Sequence, residues 1–290
     1  MITVFTPTYN RAHTLRRLYE SLLLQTCSEF EWLIVDDGST DRTESLIQSF
    51  IAEGHIDITY YRQENGGKHR AINNGVSRAK GEWFFIVDSD DYLPPDAIKI
   101  IKDEGSVVYN VKEIAGVCGI KNFPNQQRVG GELKYNILYC NNIELRYKYH
   151  IKGDLAEVWK RDVLIKFPFP EFEDEKFMDE SVVWFRIAQD YDIKFFNRNI
   201  YICEYYDDGL TNNIRSIYRN SPQGTMLYCM QMVSLAQVSL WAKIKAAINY
   251  WRYTWNYRRK RIGPLWWMYI FYPFGLFFYW KDTKGLKSRP

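Results

Sequence analysis

The feature that most limits what this chain can fold into is a run of four apolar residues, Trp32-Leu33-Ile34-Val35, that stops abruptly at Asp36-Asp37-Gly38-Ser39. A short continuous apolar strand is the kind buried on both faces of a parallel sheet. The pattern recurs: residues 2–6 run into Pro7-Thr8-Tyr9-Asn10-Arg11, and residues 83–87 run into Asp88-Ser89-Asp90-Asp91. Helical patterns separate the strands. Leu15, Leu18 and Leu22 place one helix over about residues 14–25. Asp41 with Glu44 opens a second, which carries Leu46, Ile47 and Phe50. After a strand at 57–61, residues 69–79 form a third, ending at Lys80-Gly81 as a basic last turn and a C′ glycine. The order β-α-β-α-β-α-β predicts a doubly wound α/β sheet.

In open α/β sheets, ligands bind outside the carboxyl ends of the strands. Asp36, Asp37, Asp88, Asp90 and Asp91 therefore converge on one sheet edge. Clustered anions repel one another unless a cation or a donor-rich ligand sits among them. Hard oxygens at Asp-x-Asp spacing suit Mg²⁺ or Mn²⁺, which bind through one or two carboxylates plus substrate phosphates. Gly66-Gly67-Lys68 before a helix suits a phosphate. Together these point to a nucleoside-diphosphate ligand. No G-x-x-x-x-G-K-[ST] loop is present, and no G-x-G-x-x-G follows the first strand, which argues against P-loop and dinucleotide enzymes. A lone Asp-x-Asp usually marks a solvated turn; three polar clusters at three strand ends carry the reading.

Thr6-Pro7-Thr8-Tyr9-Asn10-Arg11, Val35-Asp36-Asp37-Gly38-Ser39-Thr40-Asp41, Asn65-Gly66-Gly67 with Ala71-Ile72-Asn73-Asn74-Gly75, and Val87-Asp88-Ser89-Asp90-Asp91 closely resemble, in order and spacing, the nucleotide-sugar half of family 2 glycosyltransferases. The resemblance is specific over residues 1–100 and looser to about 210. It implies the GT-A fold: a Rossmann-like, mixed and mostly parallel sheet with flanking helices. It also implies a nucleoside-diphosphate-sugar donor, a UDP-sugar first. By resemblance, Thr6 and Tyr9 lie against the base, Asp37 accepts from it, and Asp36 is nearby. Lys68 lies near the donor and Asn73 supports its loop. Pro7, Thr8, Arg11, Gly67 and Ser89 complete the lining. Asp88, Asp90 and Asp91 match the metal and ribose motif: Asp91 binds Mn²⁺ or Mg²⁺, Asp90 lies near metal, ribose and sugar, and Asp88 lines the nucleotide-sugar site or has a structural part.

The second half must supply the acceptor site and the base. The segment 175–186 opens a helix with Phe177, Val183, Trp184, Ile187 and Ala188 inward. It resembles the family's acidic pair before an apolar helix, where the second carboxylate is the base. That position is Glu180, although Asp-Glu stands here where Glu-Asp is common. Asp179 is the competing base, or a helix cap. The implied reaction is a single inverting displacement on a saccharide or lipid-linked acceptor, in surface polysaccharide synthesis. No Q-x-x-R-W run occurs, so single addition is expected over processive synthesis. Lys152-Gly153-Asp154 and Tyr206-Asp207-Asp208-Gly209-Leu210 are acceptor-side candidates or surface turns. An inactive nucleotide-sugar-binding module and a sugar nucleotidyltransferase are the alternative readings.

The charge is unevenly spread. Of 38 Lys and Arg and 35 Asp and Glu, 11 and 1 fall in residues 241–290, a net +10; the first 240 residues keep 27 and 34, a net −7. The same fifty residues hold 16 aromatics. This asymmetry suggests a nucleic-acid or membrane-surface partner, and the donor motifs upstream favour lipid over nucleic acid. Residues 264–280 carry no charge, but seventeen residues span only about 25 Å, short of the ~30 Å hydrocarbon core. With Pro273 and Gly275 interrupting it and Lys and Arg flanking it, the segment fits an interfacial anchor within 251–290. A packed subdomain or a homodimer interface would use the same composition. The expected division is a glycosyltransferase domain over 1–215, with a donor half at 1–105 and an acceptor half at 106–215, then a helical, basic and aromatic region over 216–290. Cys27, Cys118, Cys140, Cys203 and Cys229 lack C-x-x-C spacing, which fits a reducing compartment. No leader pattern is read at residues 1–5. The expected location is cytoplasmic, peripheral on the inner face of the cell membrane.

Overall fold

The computed structural model describes residues 1–204, 210–255, 257 and 262–287. Of these, the residues in Met1–Phe169 and Arg186–Tyr206 form one compact unit, and those in Pro170–Phe185 and Asp207–Pro290 form a second. Residues 170–185, assigned from sequence to the acceptor half, thus group with the C-terminal region.

The first unit is built on a sheet of eight strands: β1 (Ile2–Thr8), β2 (Phe30–Asp36), β3 (Ile58–Arg62), β4 (Trp83–Ile86), β5 (Ile114–Asn122), β6 (Ile137–Cys140), β7 (Leu155–Lys160) and β8 (Asp192–Ile202). Their spatial order is β3-β2-β1-β4-β7-β5-β8-β6. β1 pairs in parallel with β2 and β4, β2 with β3, and β5 with β8. β7 runs antiparallel between β4 and β5, and β6 antiparallel on β8. The result is the mixed, mostly parallel α/β sheet expected from the sequence.

The crossovers are α1 (Leu15–Leu23), α2 (Thr43–Glu53) and α3 (Lys68–Arg78), followed by α4 (Ala97–Val108) after β4. α1 buries Leu15, Leu18, Tyr19 and Leu22 on the sheet, and Tyr19 stacks on Phe50 of α2 at 4.1 Å between ring centroids. β1 and β2 are buried along their whole lengths. Each fully buried large side chain there, such as Phe5 or Trp32, contributes about 1.5–3 kcal/mol of apolar burial. α3 differs from its expected ending. It stops at Arg78, with Ala79 as C-cap, so Gly81 is no C′ glycine. It lies against β1, where a Cβ would come within 2.5 Å of the Thr3 nitrogen. Short helices α5 (Asn142–Tyr147) and α6 (Arg161–Lys166) complete the unit.

In the second unit, α7 (Ser181–Ile187) begins after the acidic pair, later than the 175–186 segment suggests. α7 itself runs two residues past that unit's boundary. Then follow α8 (Leu210–Asn220), α9 (Pro222–Ser234) and α10 (Leu240–Thr254). The uncharged segment folds as a 3₁₀ helix, Trp266–Phe271, leading into α11 (Tyr272–Lys287). Pro273 does not interrupt α11. It occupies the first turn, where a missing N–H costs nothing. The basic run Arg258-Arg259-Lys260-Arg261 and the residues Tyr206-Asp207-Asp208-Gly209 lie outside the described residues.

Candidate functional site

Three connections meet at the carboxyl ends of β1, β2 and β4. The loop after β1 is tied to the loop after β2. Asn10 Oδ1 accepts from the Thr40 N–H at 2.8 Å, and the Asn10 N–H donates to Ser39 Oγ at 2.8 Å. Asn10 adopts φ 54°, a left-handed value that asparagine tolerates better than most residues. The Arg11 N–H donates to Thr43 Oγ1 at 3.1 Å.

Asp36 and Asp37 have separate parts. Asp36 is fully buried; it accepts from the Ser39 N–H and from the Tyr60 hydroxyl, both at 2.8 Å. Burial and then the Asp36 carboxylate push the Tyr60 phenol far up. Asp37 accepts from Gln63 Nε2, the Gly66 N–H and the Gly67 N–H, each at 2.7 Å, and from Asn65 Nδ2 at 3.1 Å. A carboxylate offers about four lone-pair sites, so in this structure Asp37 is the anchor of the 63–67 turn. Gly67, at φ 98°, is the N-cap of α3 and aims Lys68 at the site.

Of the β1 residues singled out from sequence, Thr6 is fully buried and its hydroxyl accepts from Trp32 Nε1 at 2.9 Å. Pro7 is buried beside it. Thr8 is 3% exposed, and its Oγ1 has no hydrogen-bond partner among the described residues. A buried hydroxyl left unpaired at a strand end is a place for a ligand to bond. Tyr9 is 47% exposed and presents its ring at the edge of the site. Asn73 exchanges two 2.9 Å hydrogen bonds with the backbone of Phe169.

The acid cluster past β4 is held by this chain's own cations. Lys68 Nζ lies 2.6 Å from Asp88 Oδ1, and Arg11 Nη2 lies 3.7 Å from Asp90 Oδ2. Arg17 donates to the Asp90 carbonyl and pairs with Glu204 at 2.6 Å. Asp91 is buried; it accepts from the Tyr201 hydroxyl at 2.7 Å and the Glu204 N–H at 3.1 Å. The Asp88 N–H donates to the same Tyr201 oxygen at 3.0 Å. Ser89 is buried between them. Burial works to raise the Asp88 carboxyl, but Lys68, Lys121 and Arg11 outweigh it and hold it below the usual carboxylate range. Burial and the charge of Asp88 raise Asp90, and push Asp91 up to about 7.

Sequence reading missed Lys121, Tyr201 and Glu204. Lys121 pairs with Tyr201 across the β5–β8 ladder, and its ammonium sits 4.0 Å from the Tyr201 ring centroid. Burial opposes its charge, but Asp88, Asp91, Asp154 and Glu157 together raise its pKa. No local signal marks it; only the strand pairing brings it to the acids.

Among the described residues, no group of three or more His, Cys, Asp or Glu is arranged to hold a metal ion. The donor chemistry still fits Mn²⁺ or Mg²⁺. Asp90 and Asp91 are hard oxygen ligands whose negative charge the fold penalises, and these ions need only one or two carboxylates beside a diphosphate.

In the second unit, Asp179 accepts from the Ser181 N–H at 3.0 Å and from the Tyr218 hydroxyl at 2.8 Å. It holds the start of α7 and ties it to α8. Glu180 is half-buried next to it. In the first unit, the turn Lys152-Gly153-Asp154 is braced by Arg128, which donates to the Lys152 carbonyl at 2.8 Å, and by Arg146.

Residues 3–139 match the family model described as Glycosyl transferase family 2. The chain is 36% identical over 104 residues to a chondroitin synthase of Escherichia coli, covering 36% of this chain and 15% of that protein. It is 34% identical over 125 residues to glycosyltransferase GlyG of Streptococcus pneumoniae, covering 40% of this chain and 42% of the other. The chain therefore spans less than half the length of these relatives. S. aureus TarS 1-349 in complex with UDP-GlcNAc aligns with a TM-score of 0.63 at 18% identity, over 89% of this chain and 73% of that one. Mannosyltransferase PcManGT from Pyrobaculum calidifontis, in complex with GDP-Man and Mn²⁺, aligns with a TM-score of 0.54 at 16% identity, over 100% and 88%. Likeness at such identity shows the fold, here the GT-A architecture.

Proposed function

The chain belongs to glycosyl transferase family 2 through residues 3–139, and on that premise we propose that it moves a sugar from a nucleoside-diphosphate sugar to a hydroxyl of a saccharide or lipid-linked acceptor, with inversion. The observation that carries this is the convergence at the ends of β1, β2 and β4. One place holds an unpaired buried hydroxyl (Thr8), two cations (Arg11 and Lys68) and three carboxylates (Asp88, Asp90 and Asp91). A UDP-sugar is the first donor to test, supported by the UDP-GlcNAc complex of TarS. The chondroitin synthase relative supports a place in polysaccharide assembly.

In this reading Tyr9 stacks on the base. Asp36 and Asp37 shape its pocket, Asp37 by holding the 63–67 turn. Lys68 and Arg11 leave their acid partners for the diphosphate, to which both offer charge-assisted hydrogen bonds. Asp90 and Asp91 would hold a divalent cation, which when bound supplies Lewis-acid stabilisation of the leaving diphosphate. Glu180 takes the proton from the acceptor hydroxyl as it attacks the anomeric carbon. Asp179 is the competing candidate for that base; its oxygens accept from the Ser181 N–H and the Tyr218 hydroxyl, which is the part of a helix cap.

Calorimetry with a panel of sugar nucleotides and Mn²⁺, followed by nucleoside-diphosphate release with candidate acceptors, tests the proposal. Binding of one donor and its turnover supports it. Binding without turnover makes the chain a nucleotide-sugar-binding module, and no binding removes the proposal.

A further inference from the structure

The C-terminal aromatics are not consumed by the core of the second unit. The 3₁₀ helix and α11 pack one side onto α10. Met268 is fully buried, and its carbonyl accepts from Trp251 Nε1 at 2.8 Å. Gly275 meets Trp251 so closely that a Cβ would come within 2.4 Å of the Trp251 Cβ. The Tyr272 ring lies 5.1 Å from that of Trp251. Asp282 pairs with Arg252 through two 2.8 Å hydrogen bonds. The register of α11 on α10 is therefore fixed.

The opposite side is open. Trp266 is 81% exposed, Ile270 64%, Phe274 55%, Phe277 63% and Trp280 56%. Phe274, Phe277 and Trp280 are three residues apart along α11 and share one face of it; Trp266 and Ile270 lie exposed in the 3₁₀ helix just before it. Nothing polar interrupts this exposed run until Lys281, also exposed. A soluble surface rarely leaves so many large apolar side chains in one row.

We propose that this stripe, from Trp266 to Lys281, docks on an anionic phospholipid surface, lying in the plane of the interface. Two observations select lipid over a second copy of the chain, and a third selects an interfacial over a spanning mode. The stripe has Trp266 and Trp280 at its two ends, and the amphipathic indole ring favours the headgroup level. The segment 241–290 carries a net charge of +10. Anionic headgroups complement that charge, whereas a second copy would set it against itself. No described helix is long and apolar enough to cross a membrane, and α11 keeps one side packed on α10 through Tyr272 and Gly275, which leaves the other to lie on an interface rather than to span it. The inference is independent of the donor chemistry. It adds a place, such as the inner face of a cell membrane, where a lipid-linked acceptor would be met.

The test is sedimentation of the full chain with phosphatidylcholine vesicles, with and without phosphatidylglycerol. The chain is expected to pellet with the anionic vesicles, less with pure phosphatidylcholine and less as salt rises. The triple variant Trp266→Ser, Phe277→Ser, Trp280→Ser is expected to lose about tenfold or more in partitioning, with its circular dichroism unchanged. Brominated lipids are expected to quench the tryptophan fluorescence of the unsubstituted chain, and to quench less when Trp266 and Trp280 are both Phe. The proposal is overturned if the chain stays in the supernatant with anionic vesicles, if the triple variant pellets like the parent, or if brominated lipid quenches nothing. A lipid-free dimer that the triple variant dissolves would also overturn it, giving the stripe to a second copy.

Discussion

Lys68 Nζ and Asp88 Oδ1 stand 2.6 Å apart, joining the first residue of α3 to the acid just past β4. About a third of each side chain is open to solvent, so a diphosphate can reach the ammonium and take it from Asp88. The pair is a latch across the site whose cation has a second use.

Lys68→Met is expected to weaken UDP binding by about tenfold, the scale of one charge-assisted contact. Calorimetry with and without Mn²⁺ reads this directly. Unchanged affinity would mean that Lys68 takes no part in holding the diphosphate.

Asp37→Asn keeps the shape of the side chain but turns one acceptor into a donor that faces donors. The Gly66 N–H sits on Oδ1 and the Gly67 N–H on Oδ2, so one of these two backbone N–H groups loses its partner, at about 1–3 kcal/mol where burial is complete. The expected result is faster amide exchange at one of Gly66 and Gly67 and weaker UDP binding, with the β-sheet signature intact. Exchange as slow as in the parent would show that the turn does not depend on Asp37.

How much of this was legible before the fold was known depends on where each residue's partners lie. β1, β2 and β4 could be read because each is a short apolar run that ends in a polar cluster, and the sheet edge follows from topology alone. β8 could not be read in that way. Its run Asp-Ile-Lys-Phe-Phe-Asn-Arg looks too polar for a buried strand, yet Lys194 is buried because Glu104 of α4 pairs with it at 2.7 Å. β5 is weakened to the eye by Gly116 and Gly119, which are required by close backbone and side-chain neighbours. Tyr201 reaches Asp91 across 110 residues of chain, a relation that no local pattern carries.

Lys121→Met removes the half-buried cation that Asp88, Asp91, Asp154 and Glu157 share. In chelator the variant is expected to melt below the parent, because the buried Asp91 and the half-buried Asp88 lose compensation. Added Mn²⁺ is expected to raise the variant's Tm by more than the parent's. Equal gains would show that Lys121 and the ion do not address the same acids.

Glu175 is 5% exposed and caps α9 through the Gln223 and Gly224 N–H groups at 2.7 and 2.9 Å. Burial raises its carboxyl pKa, against those hydrogen bonds. A raised folded pKa means that the folded chain holds the proton more tightly than the unfolded one. The associated stability is complete below the unfolded value of about 4.3 and is lost as pH rises through the folded one. Urea unfolding from about pH 4 to about pH 7 should therefore show the parent losing stability relative to Glu175→Gln. A difference that is flat or grows with pH would contradict the assignment.

The central claim is that this chain transfers a sugar from a nucleoside-diphosphate donor with Glu180 as base. The most direct measurement is nucleoside-diphosphate release at saturating donor and acceptor, comparing the parent with Glu180→Gln and Asp179→Asn. Glu180→Gln is expected to keep the donor affinity and to lose about 100-fold or more in turnover, while Asp179→Asn loses less. Release by Glu180→Gln at the parent's rate would contradict the assignment of Glu180 as base.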